Sequence, residues 1–152
     1  MTKQEEKHIS ASLENYLEAI YNIIEEKQGV KAVEISRRLG VGRSSVTEAL
    51  KTLADKKLVN YGRYDVLSLT PQGEKAAQAV IARHKVLEQF FTRVLGLSPQ
   101  SADEEACKVE HVVEEETMQH FISFMEYHKQ FINQNENHIE KFLAFHKEYH
   151  QR

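Results

Sequence analysis

The stretch "VKAVEISRRLGVGRSSVTEALKTLADKKL", Val30 to Leu58, decides the fold. Its apolar residues fall into two short helical patterns divided by a glycine turn. Val33, Ile35 and Leu39 are expected in the first helix, which stops at Gly40, and Val46, Leu50 and Leu53 inward on the second. Two short helices joined by so tight a turn make a helix-turn-helix. The second helix of such a unit lies in the major groove and turns its first residues toward base edges, where short polar side chains fit. Those residues here are Arg43, Ser44, Ser45, Thr47 and Glu48, with Lys51 one turn on. Ser and Thr can contact phosphate or base, and Arg43 can do either. Glu48 can accept from cytosine or simply be a solvated helix residue.

Downstream, "LVNYGRYDVLSLTPQG" (Leu58 to Gly73) changes period. Leu58, Val59 and Tyr61, a tip of Gly62-Arg63-Tyr64-Asp65, then Val66, Leu67 and Leu69 read as a small hairpin, a wing offering Arg63 and Tyr64 to a DNA backbone. Upstream, Leu13, Tyr16, Leu17, Ile20, Tyr21 and Ile24 recur at the helical period from Ser12 to Lys27, a first helix closing at Gly29. Thr70 and Pro71 have the residue types of an N-cap and first helical position, so a long helix is expected to run from there to Leu95 and end at Gly96. Pro99 and the Ser-x-x-Glu box from Ser101 to Glu104 restart a helix carrying "ACKVEHVVEEE". "TMQHFISFMEYHKQFI" and "HIEKFLAFHKEYH" give two more helices around the polar Asn133–Asn137. The predicted fold is mainly α: an N-terminal winged helix-turn-helix with a small β-hairpin wing, residues 1–73, and a C-terminal α-helical part, residues 74–152.

Bulk composition agrees. A chain of 152 residues suits one compact domain or two small ones sharing a core. The single cysteine excludes an internal disulfide, and no apolar run resembles a signal peptide or membrane span, so a reducing cytoplasm is the expected compartment and no membrane partner is expected. Net charge is −3, but its distribution is uneven. Residues 31–75 carry nine basic against five acidic side chains, whereas residues 1–30 carry three against six and residues 76–152 eight against twelve. Local sign governs steering toward phosphates, so the middle segment is the candidate nucleic-acid surface. A winged helix can also serve only as a protein-contact scaffold; the polar first turn and local positive charge favour DNA.

Cys107, Glu110 and His111 stand at i, i+3 and i+4, which on a helix puts thiolate, carboxylate and imidazole on one stripe, a donor set for a borderline divalent ion. His84 and Glu88 are i, i+4 neighbours, and Asn15 and Glu18 repeat the i, i+3 spacing on the first helix. Each pair alone is weak evidence, because a lone Cys is usually a small core residue and His/Glu at i+4 usually a surface pair. "HVVEE" from His111 to Glu115 comes close to a His-x-x-Glu-His hydrolase motif but lacks its last histidine, and no motif for nucleophilic catalysis or phosphate binding accompanies it. No enzyme is expected. The histidines at 120, 128, 138, 146 and 150 are read as belonging to solvated helix faces, with a tail metal site as the lesser alternative.

"SLENYLEAIYNIIEE", "SSVTEALKTLADKKLV", "LSLTPQG", "ARHKVLEQFF" and "EEACKVEHVVEEE", in this order over residues 10 to 125, together resemble the diphtheria toxin repressor family of metal-activated transcription regulators. The length resembles that of its short two-domain, manganese-responsive branch. The resemblance implies that Cys107, Glu110, His111 and Asn15 form a primary metal site, His84 and Glu88 an ancillary one, and Glu18 a further ligand. Position 15 is methionine in the iron-responsive type and aspartate in the manganese-responsive type, whereas here it is asparagine, whose amide oxygen can also coordinate. Cys107 stands where manganese regulators carry glutamate, so the donor set is a hybrid. It implies Mn2+ or Fe2+ as cofactor, with Zn2+ an in-vitro substitute, and a homodimer that represses operators of metal-uptake genes by binding double-stranded DNA. Phe121, Phe124, Met125, Phe131, Phe142, Phe145 and Tyr149 are expected to supply apolar surface for the dimer, some of it serving instead as ordinary intramolecular core. The alternative is a winged-helix regulator indifferent to metal.

Overall fold

The structure is a computed structural model and describes residues 9–62, 66–132 and 137–151; the side chains of Phe131 and Ile132 are not among those described. The chain separates into two compact units, Met1–Ile81 and Ala82–Arg152, dividing within one long helix.

In the first unit, α1 (Ala11–Lys27) is capped by Ser10, whose hydroxyl accepts from the Leu13 N–H at 3.3 Å. Its inner face buries Tyr16, Leu17, Ala19, Ile20 and Ile23. Termination differs from the sequence expectation: Gln28, not Gly29, takes the left-handed conformation (φ 59°) and closes the helix through its N–H to the Ile24 carbonyl. In α2 (Ala32–Leu39), Glu34 reaches back to the Lys31 N–H at 2.9 Å and pairs with Lys27 at 2.8 Å, while Arg38 forks onto Glu26 at 2.9 and 2.5 Å. Ile35 is buried, whereas Val33 is 40% exposed. Positions 32, 35 and 39 follow the helical period, and 33 falls off that stripe.

Gly40 (φ 65°) makes the turn, with Val41 N–H bonded to the Ser36 carbonyl and the Ser36 hydroxyl donating to the Val41 carbonyl. A side chain with a Cβ at this φ would be strained, which is why the turn needs glycine. α3 (Arg43–Asp55) then buries Val46, Ala49, Leu50 and Leu53 against α1 and α2. It ends on Lys57 in the left-handed conformation, with the N–H groups of Lys57 and Leu58 closing on the carbonyls of Ala54 and Leu53.

The wing is shorter than its sequence pattern. β1 (Val59–Asn60) and β2 (Ser68–Leu69) pair antiparallel, Val59 opposite Leu69 and Asn60 opposite Ser68. The tip residues Arg63, Tyr64 and Asp65 lie outside the described residues. α4 (Pro71–Arg93) starts where Thr70 and Pro71 place it: the Thr70 hydroxyl accepts from the Gly73 N–H at 3.0 Å and donates to the Lys57 carbonyl at 2.7 Å. Gly73 lies so close to the end of α3 that a Cβ there would come within 1.8 Å of the Leu58 carbonyl oxygen. The wing base and the start of α4 are thereby fixed to each other.

The second unit comprises the last turns of α4, then α5 (Pro99–Val109), α6 (Glu115–Tyr127), a π-helical turn over His128–Ile132, and α7 (His138–Tyr149). α5 is capped by Ser98, whose hydroxyl accepts from the Ser101 N–H at 3.2 Å. The sequence expectation of a cap at Ser101 is off by three residues because Pro99 occupies the first helical position and fixes the start one turn earlier. Leu87, Ala106 and Met118 form the core, and the Phe90 ring meets Phe121 and Phe124 edge-on at 4.9 and 5.9 Å. α7 buries no residue among those described, and Phe145 and Tyr149 are each 62% exposed.

Candidate metal centre and nucleic-acid interface

Glu110 is the most buried charged residue among the described residues of the second unit, at 0% exposure. It caps the C-terminus of α5, so its carboxylate is aimed by the helix's last turn, and both of its oxygens meet imidazoles. Oε2 lies 2.6 Å from His84 Nδ1 on α4, and Oε1 lies 3.2 Å from His111 Nε2 in the turn after α5. The other nitrogen of His84, Nε2, lies 3.0 Å from Asp103 Oδ1. His84 and His111 are themselves sheltered, at 17% and 6% side-chain exposure. A carboxylate so withdrawn from water requires positive charge beside it. Burial alone would depress the His84 pKa, but the Glu110 and Asp103 carboxylates outweigh it and hold the imidazole above its ordinary value.

Of the expected metal ligands, the structure therefore brings together His84, Glu110 and His111. Glu88 is half-buried, one turn along α4 from His84. Cys107 is exposed although Glu110, three residues on, is fully buried. Asn15 and Glu18 are half-buried on α1 in the first unit. Asp103 was missed from the sequence; it lies four residues before Cys107 and seven before Glu110, and that helical spacing was the available signal. Glu114 and Glu115 of the hydrolase-like stretch are the N-cap and first residue of α6, with carboxylates suited to a helix start. The expected solvation of the C-terminal histidines fails for His128, which is 2% exposed.

The donor chemistry fits a divalent cation: a buried carboxylate joined on both oxygens to imidazoles, with a second carboxylate beyond. In the conformation described, His84 and Glu110 contact each other directly, and no three His, Cys, Asp or Glu among the described residues are grouped so that they could hold an ion. Coordination would thus require the pair to part, with positive charge from the metal replacing that on the imidazole.

On α3, Arg43, Ser44, Ser45, Glu48 and Lys51 are exposed, so the residues expected to face DNA share the surface opposite the buried face. Thr47 is half-buried and its hydroxyl donates to the Arg43 carbonyl at 3.0 Å. Among the described residues no helix is long and apolar enough to cross a membrane.

A trihelical reading head with a hairpin wing, followed by a helical unit holding a buried histidine–carboxylate cluster, defines a winged-helix transcription regulator with a metal-sensing part. The sequence matches the model of the iron dependent repressor N-terminal DNA binding domain over residues 8–67 and that of the iron dependent repressor metal binding and dimerisation domain over residues 70–139. An uncharacterised HTH-type transcriptional regulator of Methanocaldococcus jannaschii is 37% identical over 119 residues, which cover 78% of this chain and 95% of that protein. Transcriptional regulator MntR of Salmonella typhimurium is 36% identical over 123 residues, covering 81% of this chain and 78% of that one. The structure of the manganese regulator SloR superposes with a TM-score of 0.67 at 26% identity, covering 76% of this chain and 54% of that chain, so this chain spans about half the length of that structure. The chain belongs to the iron-dependent repressor family, the family also called after the diphtheria toxin repressor. It is a metal-dependent DNA-binding transcriptional repressor, of a family of regulators rather than enzymes.

Proposed function

We propose that this repressor is activated by Mn2+ or Fe2+, acts in the cytoplasm as a homodimer, and binds operators of metal-uptake genes. The observation that carries the metal assignment is Glu110, wholly buried with both carboxylate oxygens on imidazoles. His84, Glu110 and His111 would be ligands, with Cys107 and Glu88 joining after side-chain rotation and Asn15 and Glu18 of α1 completing the set. A bound divalent cation would supply the positive charge that Glu110 requires and a common centre for donors from several helices. Glu110 would hold the ligand position farthest from water, and His84 would give up its Glu110 hydrogen bond and any proton it carries. Cys107 would bind as thiolate. Its softness favours Fe2+ or Zn2+, whereas the carboxylates and the Asn15 amide favour Mn2+. Manganese is also the metal in the name of the manganese regulator SloR, and the matched dimerisation domain supports a second copy of this chain as partner.

Arg43, Ser44, Ser45, Thr47, Glu48 and Lys51 would meet the major groove, with Arg63 of the wing on the backbone. Two recognition helices in a symmetric dimer must match half-sites about one helical turn apart, so fixing their separation raises affinity. The test is fluorescence anisotropy on duplex DNA from upstream of a metal-uptake gene, with Mn2+, Fe2+, Zn2+ or EDTA, on wild type, Cys107→Ala and His84→Ala. Metal should tighten wild-type binding and fail to do so in the variants. Affinity indifferent to EDTA would refute the metal assignment.

A further inference from the structure

The second unit holds another pair of metal-binding side chains that the reading above does not use. We propose that His128, His138 and the backbone carbonyl of Arg93 form a separate cation site, suited to a borderline divalent ion such as Zn2+ or Ni2+, that clamps α7 to the end of α4. His128 Nε2 lies 2.9 Å from His138 Nε2, and His138 Nε2 lies 3.1 Å from the Arg93 carbonyl oxygen. Ligand atoms each about 2.1 Å from one ion stand roughly 3.0 Å apart in octahedral and 3.4 Å apart in tetrahedral geometry. His138 Nε2 thus stands at the spacing of a neighbouring ligand from both His128 Nε2 and the Arg93 carbonyl oxygen. Without an ion the arrangement is poorly served by hydrogens. If His138 Nε2 carries the hydrogen, it must divide it between His128 and the carbonyl; if His128 carries it, the Arg93 contact has none.

The position of the pair adds to this. His128 is 2% exposed and opens the π-helical turn, a widened segment that often accompanies functional sites. Burial first, and then the neighbouring His138 and Arg93 charges, keep its pKa below the ordinary histidine value. α7 has no buried residue, and its described anchorage beyond His138 is Ile139 and Leu143 beside Gly96. An ion shared by α4, the π-helical turn and α7 would fix a helix that apolar burial holds only lightly. The Arg93 guanidinium opposes a cation here, and that opposition gives the site a distinctive test.

The proposal does not depend on the metal assignment made for Glu110. The full chain bearing Glu110→Gln and His84→Ala is titrated calorimetrically with Zn2+ and with Ni2+. One equivalent should remain, weakened at least tenfold by adding His138→Ala or His128→Ala. It should be tightened by adding Arg93→Gln, which keeps the carbonyl and removes the cation. Because His128 is buried, His138→Ala is the deciding variant, and circular dichroism verifies that it stays helical. Absence of the residual equivalent, or its survival in His138→Ala, overturns the site. So does loss only on His146→Ala/His150→Ala, whose exposed rings lie 4.5 Å apart one turn along α7. Failure of the Glu110 reading shows elsewhere, as wild-type DNA binding indifferent to metal.

Discussion

Replacing Glu110 with Gln keeps the shape of the side chain and removes its charge, which separates metal binding from folding. In the metal-free chain two effects oppose each other. A hydrogen bond to a charged group contributes about 1.5–3 kcal/mol, and Glu110 Oε2 has one with His84. Withdrawing the carboxylate from water costs several kcal/mol, a cost the amide largely avoids. Removing one partner of a buried pair costs about 3–5 kcal/mol when the other stays charged, and less here because His84 can give up its proton, so metal-free stability should fall by less than that. The metal-bound state has no such compensation. Groups that merely support a ligand change affinity about 10–100-fold, so loss of the ligand's charge is set at about 100-fold. At metal 100 times above the wild-type Kd, binding stabilises the wild type by about 2.7 kcal/mol, and a variant 100-fold weaker by about 0.4 kcal/mol. The difference corresponds to roughly 5–9 °C in Tm for a chain of this size. Thermal melts with EDTA and with Mn2+ measure both quantities. A variant that keeps the wild-type metal-induced rise would show that Glu110 is not a ligand.

Three further outcomes follow from the described geometry. Gly73→Ala would drive a Cβ to 1.8 Å from the Leu58 carbonyl oxygen and 2.7 Å from its carbon, so backbone must move; destabilisation of about 3 kcal/mol or more is expected. Urea unfolding and DNA affinity should both fall, because Leu58 leads directly into β1; an unchanged midpoint would contradict the close approach. Lys51→Ala should lower the slope of log K against log salt by about 1 without altering sequence preference, as for a side chain on phosphate. An unchanged slope would place Lys51 off the DNA. The Glu26 carboxyl is held below its ordinary pKa chiefly by Arg38, and that of Glu34 chiefly by Lys27 and then the Lys31 N–H. Depressed acids contribute stability that is present above the unfolded value, about 4.5, and lost as pH falls through the folded one. The double variant Glu26→Gln/Glu34→Gln should therefore lose less stability than wild type on acidification below about pH 4.5. Parallel acid limbs in chemical denaturation would show that these links between α1 and α2 do not matter.

The residues of Val30 to Leu58 determined the reading head almost unaided, since helix periodicity and the Gly40 turn act over three or four neighbours. The same is true of Thr70 and Pro71 at the start of α4. Local choices among equivalent candidates were less determined: Gln28 rather than Gly29 ends α1, and Ser98 rather than Ser101 starts α5, because each cap must suit the chain on both sides of it. Chemistry-bearing residue types were visible in Cys107, Glu110, His111 and His84, but helical spacing gives all positions on a stripe the same rank. Tertiary packing alone decided that Glu110 is buried while Cys107 faces solvent, that His84 crosses 26 positions to meet Glu110 and 19 to meet Asp103, and that His128 turns inward to His138. Those contacts join side chains on different helices, and their partners are selected by which surfaces exclude water, a property no short window of sequence contains.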